Sequence, residues 1–267
     1  MWKVLLLISF YAAVVSRAET VSSAEKKIDA LWQNTTSYTA SLELNTQLKR
    51  MVVTIRTAGK GTLACMKSGD TLLYRLELAT GSSVGDQDVD QRTTQVFDGE
   101  YLYTQIDSWG ASQVTRTKVM LPGFVSGMVP GSGKLVFKEL RNDYRLKLLP
   151  DETVGEQTCY VFDLTLKAKD PSKAFAADGR LLPSRMNLYF ARDTGLLTRL
   201  MVLLEPDNLV YMTVTYKDIQ VNPALAPETF QYTVPKGVTV IDLPQPAPPS
   251  DGENIPTTSL IPPLPTR

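Results

Sequence analysis

From Tyr38 onward the chain alternates apolar and polar residues with a period of two, in one short segment after another. Tyr38, Ala40, Leu42 and Leu44 are separated by polar residues; Met51, Val53 and Ile55 follow the same rhythm, and so do Leu72, Tyr74, Leu76 and Leu78. Successive side chains of a strand point to opposite faces, so each segment describes a strand with one buried face. Further segments of this kind are 62–67, 93–97, 101–106, 113–118, 135–140, 144–149, 159–167, 185–191, 196–204 and 210–219. Turn-forming residues stand between many of them: Asp98-Gly99, Asp107 to Gly110, Arg141-Asn142-Asp143, Asp193 to Gly195 and Pro206-Asp207-Asn208. Connections this short suit hairpins, and nothing alternates strand with helix as a parallel sheet requires. The expected fold is therefore mainly β, an antiparallel meander forming a barrel or sandwich in one domain of roughly 220 residues. One helix precedes it, in which Val21, Ala24, Ile28 and Leu31 repeat at three and four, with Ser22 and Ser23 as candidate caps and Trp32 at its end.

The two ends have other compositions. Residues 1–18 carry an early positive charge at Lys3, an apolar stretch from Val4 to Val15, and small residues at Ser16 and Ala18, the pattern of a cleaved secretory signal. That stretch is shorter than the ~20 residues a membrane span needs. Of the 17 prolines, eight lie after Leu243, and residues 244–267 read as a proline-rich disordered tail. The folded domain is expected over 19–243.

Composition removes several functions. There is no histidine, which excludes a Ser-His-Asp or Cys-His nucleophile, an imidazole base and a His-liganded metal. Lys and Arg total 28, as do Asp and Glu, with no long basic run, so nucleic acid is not an expected partner. Gly131-Ser132-Gly133-Lys134 lacks both the first glycine and the Ser or Thr of a phosphate loop. Asp86, Asp88 and Asp90 start like a calcium loop, but Gln91 and Phe97 occupy the positions of its glycine and its bidentate glutamate. No constellation of acids, bases or metal ligands marks a catalytic or metal site, and no cofactor is expected. Cys65 and Cys159 fall on separate strands; in an exported protein they could pair, and their spacing leaves the question open.

One segment breaks the meander. Residues 119–133, VMLPGFVSGMVPGSG, are apolar yet interrupted by Pro122, Gly123, Gly127 and Pro130. They read either as a short helical cover on one end of the sheet or as a movable lid whose methionines and glycines repack around a ligand.

The ordered set of a helix, SYTASLELNTQ (37–47), GKGTL (59–63), QVFDGEYLY (95–103), a strand ending QVT (113–115) and an apolar segment is similar to the LolA family of periplasmic lipoprotein carriers. The stretch YKDIQVNPALAPETFQYTVPKGVTVID (216–242) resembles that family's ending. The resemblance spans about 24–242 and implies an incomplete antiparallel β-barrel of about 10–11 strands, with helices over its mouth and an apolar cavity that receives acyl chains. It places Lys67 where the family has the arginine that ties sheet to lid, with Ser68 in place of a proline, and puts Leu72 and Tyr74 at aromatic cavity positions. Residues 168–183 look like an insertion.

The expected function is a non-catalytic, monomeric periplasmic carrier of lipoprotein acyl chains or another lipid, exchanging its cargo transiently with an inner-membrane donor and an outer-membrane acceptor. Its expected cavity residues are Leu42, Leu44, Val53, Ile55, Leu72, Tyr74 and Leu76, and its lid residues Leu121, Phe124, Val125 and Met128. The competing reading is an envelope sensor or interaction protein on the same scaffold, resembling regulators that bind an anti-sigma factor.

Overall fold

The computed structural model describes residues 19–50, 53–69, 71–84, 87–118, 133–167, 183–204 and 209–243. The expected signal, the segment 119–132, most of the expected insertion and the proline-rich tail lie outside these residues.

Helix α1 spans Val21–Gln33. Its cap is Thr20, two residues before the first of the serines, and the Thr20 hydroxyl accepts from the Ser23 N–H at 3.2 Å. Ala24, Ile28 and Trp32 repeat at i, i+4 and i+8 and are buried on the face turned to the sheet. Strands β1 Ser37–Arg50, β2 Val53–Ser68, β3 Thr71–Val84, β4 Gln87–Phe97, β5 Tyr101–Ser108 and β6 Ala111–Lys118 follow as hairpins. The two expected segments around Val53 and Ala64 are one 16-residue strand. Next come helix α2 Gly133–Asp143 and strands β7 Tyr144–Val154, β8 Gln157–Leu166, β9 Arg185–Ala191, β10 Leu197–Leu204 and β11 Leu209–Val221. A single 3-10 turn at Pro227–Phe230 and strand β12 Val240–Asp242 complete the described chain.

Residues 135–140, expected as a strand, belong to α2. Phe137, Arg141 and Tyr144 stand four and three residues apart, and this helical spacing carries Phe137 into the core while Arg141 reaches α1.

All described strands belong to one sheet of order β12-β6-β5-β4-β3-β2-β1-β11-β10-β9-β8-β7. Every adjacent pair is antiparallel except β12 with β6, which is parallel. The sheet coils without closing, leaving β7 and β12 as edges, so the molecule is an incomplete barrel with α1 and α2 on its concave side.

The GKGTL motif is explained by that coiling. Gly59 and Gly61 face inward on β2, and a Cβ on Gly61 would stand 2.1 Å from the Glu77 carbonyl oxygen on β3. The two backbones approach too closely for any side chain. The Asp193-to-Gly195 turn is shaped in the same way from the helix side. Gly195 has φ +69°, and its missing Cβ leaves room for Leu31 and the Ile28 carbonyl of α1. At the start of β1, the Asn222 carboxamide accepts from the Thr36 N–H at 2.7 Å and donates to the Asn34 carbonyl at 3.1 Å, joining the α1–β1 turn to the end of β11.

Candidate ligand-binding face

Residues paired across the ladder share a face, so the registers define the concave surface strand by strand. On β1 it carries Tyr38, Ala40, Leu42 and Leu44; on β2, Leu63 and Cys65; on β3, Tyr74, Leu76 and Leu78; on β11, Val214 and Tyr216. All of these are buried in one continuous core with the inner residues of β8, β9 and β10. Of the expected cavity residues, Leu42, Leu44, Tyr74 and Leu76 are part of it, Leu72 packs against it half-buried, and Ile55 lies half-buried further along β2. Val53 opens β2 opposite Arg50. Leu121, Phe124, Val125 and Met128 lie outside the described residues.

The helices close one end of this face. Phe137 of α2 meets Phe162 at 4.9 Å and Phe190 at 5.3 Å between ring centroids, a trio that alternation alone did not identify. Arg141 donates to Glu25 at 2.5 Å and so joins α2 to α1; burial raises the Glu25 carboxyl pKa, and the arginine opposes the rise. Lys67 also points inward, where its Nζ donates to the Trp32 carbonyl and lies 4.4 Å from the centroid of the Trp32 ring. Its partner among the described residues is therefore the last turn of α1, and burial lowers its pKa.

Toward the other end the strands outrun the helices. Strands β1, β2 and β3 have 14, 16 and 14 residues, which at ~3.3 Å each is about 46–53 Å. The 13 residues of α1 and 11 of α2 extend only about 20 and 17 Å. Leu48, Ile55 and Met212 are half-buried on this stretch of the concave face, beside the small residues Thr57, Gly59, Thr80 and Ser82.

Charge is sorted between the two faces. On β4, Asp88, Asp90 and Arg92 point outward, while Val89, Gln91, Thr93 and Gln95 point inward. Two clefts carry such outer charges: one of about 630 Å³ beside Trp109, lined in part by Asp90, Arg92 and Asp107, and one of about 420 Å³ lined in part by Glu43 and Lys60. Neither is the apolar concavity expected from the sequence.

Cys65 and Cys159 are both buried free thiols, so the disulfide the sequence left open is not formed. Cys65 faces the inner core. Cys159 lies in a small cluster on the outer side with Val161 and Tyr189, its sulfur 3.2 Å from the Thr198 hydroxyl. β1, β11, β10 and β9 intervene between the two strands, a separation of about 24 Å along the sheet. Opposite faces and that distance preclude a bridge.

No family model matches the chain, and no curated protein matches it. Among solved structures, a chain of the MucA/MucB complex of Pseudomonas aeruginosa is 14% identical, with a TM-score of 0.42; the match covers 79% of this chain and 60% of that one, so this chain spans three fifths of its length. The lipoprotein LppX of Mycobacterium tuberculosis is 12% identical, with 78% of this chain and 99% of that one covered and a TM-score of 0.40. A LolA superfamily protein of Nitrosomonas europaea is 13% identical, with 80% and 99% covered and a TM-score of 0.30.

Proposed function

We propose that this protein is a non-catalytic carrier that shelters the acyl chains of a lipoprotein or another lipid against its concave face. The observation that carries the reading is the mismatch in length between that face and its helical cover. Each central strand is more than twice as long as either helix, and Leu48, Ile55, Thr57, Gly59, Thr80 and Ser82, inward toward its far end, are aliphatic or small.

The energetics suit a shuttle. Each buried methylene contributes ~0.8 kcal/mol, so sheltering about ten offers roughly 8 kcal/mol before ordering costs, which is micromolar affinity at best. A ligand held at that strength can be handed on. In this reading the carrier works in the periplasm, takes its cargo from an inner-membrane donor and delivers it towards the outer membrane through transient contacts.

The test is native purification followed by lipid extraction and mass spectrometry, with displacement of a neutral fluorescent probe as the second measurement. Co-purification of a long-chain acyl lipid near one equivalent per chain is expected. A lipid-free protein whose probe no long-chain lipid displaces overturns the proposal.

A further inference from the structure

The concave face is not apolar throughout, and its polar part on β4–β6 is uncharged. The inward positions of β4, β5 and β6 include Gln91, Thr93, Gln95, Thr104, Gln113 and Thr115, with the charges of these strands turned to the other side. The inner surface is thus divided lengthwise, with an aliphatic floor on β1–β3 and β10–β11 and a wall of neutral amides and hydroxyls on β4–β6.

At the line where floor meets wall, two buried polar groups lack a partner among the described residues. The Tyr74 side chain is 0% exposed, and its hydroxyl makes no hydrogen bond. The side-chain oxygen of Gln95 is buried and likewise unpaired. Tyr74 pairs across the ladder with Phe97 and Leu76 with Gln95, so the two groups sit on neighbouring strands, one inward position apart on the same face. One donor and one acceptor left unpaired together are costly in an interior, where nearly every buried polar group is satisfied. Burial also holds the Tyr74 hydroxyl protonated far into the alkaline range, which keeps it a donor.

We propose that Tyr74 and Gln95 form a subsite for the uncharged polar part of the bound lipid. The Tyr74 O–H donates to an ester or amide carbonyl next to the acyl chain, and the Gln95 oxygen accepts from a hydroxyl or amide N–H. This rests on the carrier reading and narrows its ligand class. A neutral acylglycerol or acyl-amide linkage fits the wall, whereas an anionic headgroup would be desolvated against neutral amides and hydroxyls, the inward Lys67 beside Tyr74 being engaged by the Trp32 carbonyl and ring.

The experiment measures displacement of N-phenyl-1-naphthylamine by dioleoylglycerol, by dioleoylphosphatidic acid and by squalane, in the full chain and in Tyr74→Phe/Gln95→Leu. Dioleoylglycerol is expected to bind about tenfold more tightly than the other two, and the double variant to lose about tenfold for dioleoylglycerol alone, with squalane unchanged. Equal affinities for the three lipids, or a double variant that behaves as wild type, overturns the subsite and leaves the carrier standing. Displacement by none of them overturns both. Thermal unfolding of ligand-free Tyr74→Phe supplies the control: its Tm should equal or exceed that of wild type, because an unpaired buried hydroxyl has been removed. A fall of roughly 3 °C or more would mean that Tyr74 already has a partner, and would also overturn the subsite.

Discussion

Lys67 donates to the Trp32 carbonyl while its ammonium lies 4.4 Å from the centroid of the same residue's indole ring. Trp32 is in the last turn of α1, where a cation is favoured, and its carbonyl accepts from the Thr35 N–H at 3.1 Å as well as from Lys67. One side chain on β2 therefore fastens the end of the helix to the sheet. Lys67→Met should cost about 1–2 kcal/mol in urea denaturation, the sum of one charged hydrogen bond and one cation–π contact less the gain from burying an uncharged chain. Lys67→Arg should recover most of the loss, since a guanidinium can both donate and stack. If the methionine variant is as stable as wild type, the clamp contributes nothing.

Cys65 supports a prediction about alkaline pH. Burial among aromatic side chains pushes its thiol up to about 12 from an ordinary value of 9.0. A group whose folded pKa is raised stabilises fully below its unfolded pKa, and that contribution is lost as pH climbs from there to the folded value. Here the window is pH 9 to 12, with a slope approaching ~1.4 kcal/mol per unit. Lys67 acts oppositely, since its depressed pKa relieves a burial penalty as pH approaches 10.5, and the tyrosines add losses of their own. Comparing wild type with Cys65→Ala cancels those shared contributions. The wild-type advantage should shrink steadily above pH 9, and a difference independent of pH would contradict the assignment.

Because the two cysteines occupy opposite faces of the sheet, the native protein should carry two free thiols and no bridge. Thiol reagents should titrate two groups per chain after denaturation and react slowly with the folded protein, since both side chains are buried. Reductant should leave the Tm unchanged. A reductant-dependent fall of several degrees would mean that the bridge forms in solution.

Gly61→Ala should be severely destabilising, by roughly 3 kcal/mol or more, because the added Cβ would stand 2.1 Å from the Glu77 carbonyl oxygen, a backbone atom that cannot move without the strand. Gly81→Ala is the matched control. Its nearest neighbour would be the Asp90 Oδ1 at 3.4 Å, so the change should stay within about 0.5 kcal/mol. Equal costs at the two positions would show that the requirement for glycine is not the close approach of β2 to β3.

Period-two alternation was enough to put Leu42, Leu44, Tyr74 and Leu76 on one buried face, because a strand's faces follow from parity alone. Parity failed where both periods fitted the residues. In the segment 135–140, closely set apolar residues satisfy a strand as well as a helix, and only the contacts of Phe137 and Arg141 with other elements decide for α2. Gln95 was invisible for another reason: on β4 the contrast between faces is neutral against charged, which a search for apolar residues does not register. The contact of Lys67 with Trp32 joins residues 35 apart and carries no periodic trace. The C-terminal segment was legible only as a family-like string, since prolines deny it any period and its anchoring depends on stacking.

That segment yields the last prediction. After the turn at Pro227–Phe230, where Phe230 is buried, Tyr232 stacks on Tyr103 of β5 at 4.9 Å and 17°, and its hydroxyl donates to the Gln105 oxygen at 2.8 Å. β12 then adds to β6, with Arg116 held by both carboxylate oxygens of Asp242 at 2.7 and 3.0 Å. Val96 and Val114, on the outer side of β4 and β6 with Tyr103, are fully buried, though the outer face of a sheet would otherwise meet water. The strap thus gives this part of the sheet a second core. Phe230→Ala should cost about 3–5 kcal/mol, the range for truncating a buried phenylalanine. Asp242→Ala, which removes only an exposed ion pair, should leave the Tm nearly unchanged. Hydrogen exchange in Phe230→Ala should rise in β5, β6 and β12 while β8 and β9 keep their protection. Uniform loosening of the whole sheet would instead mean that the strap is an integral part of the main core.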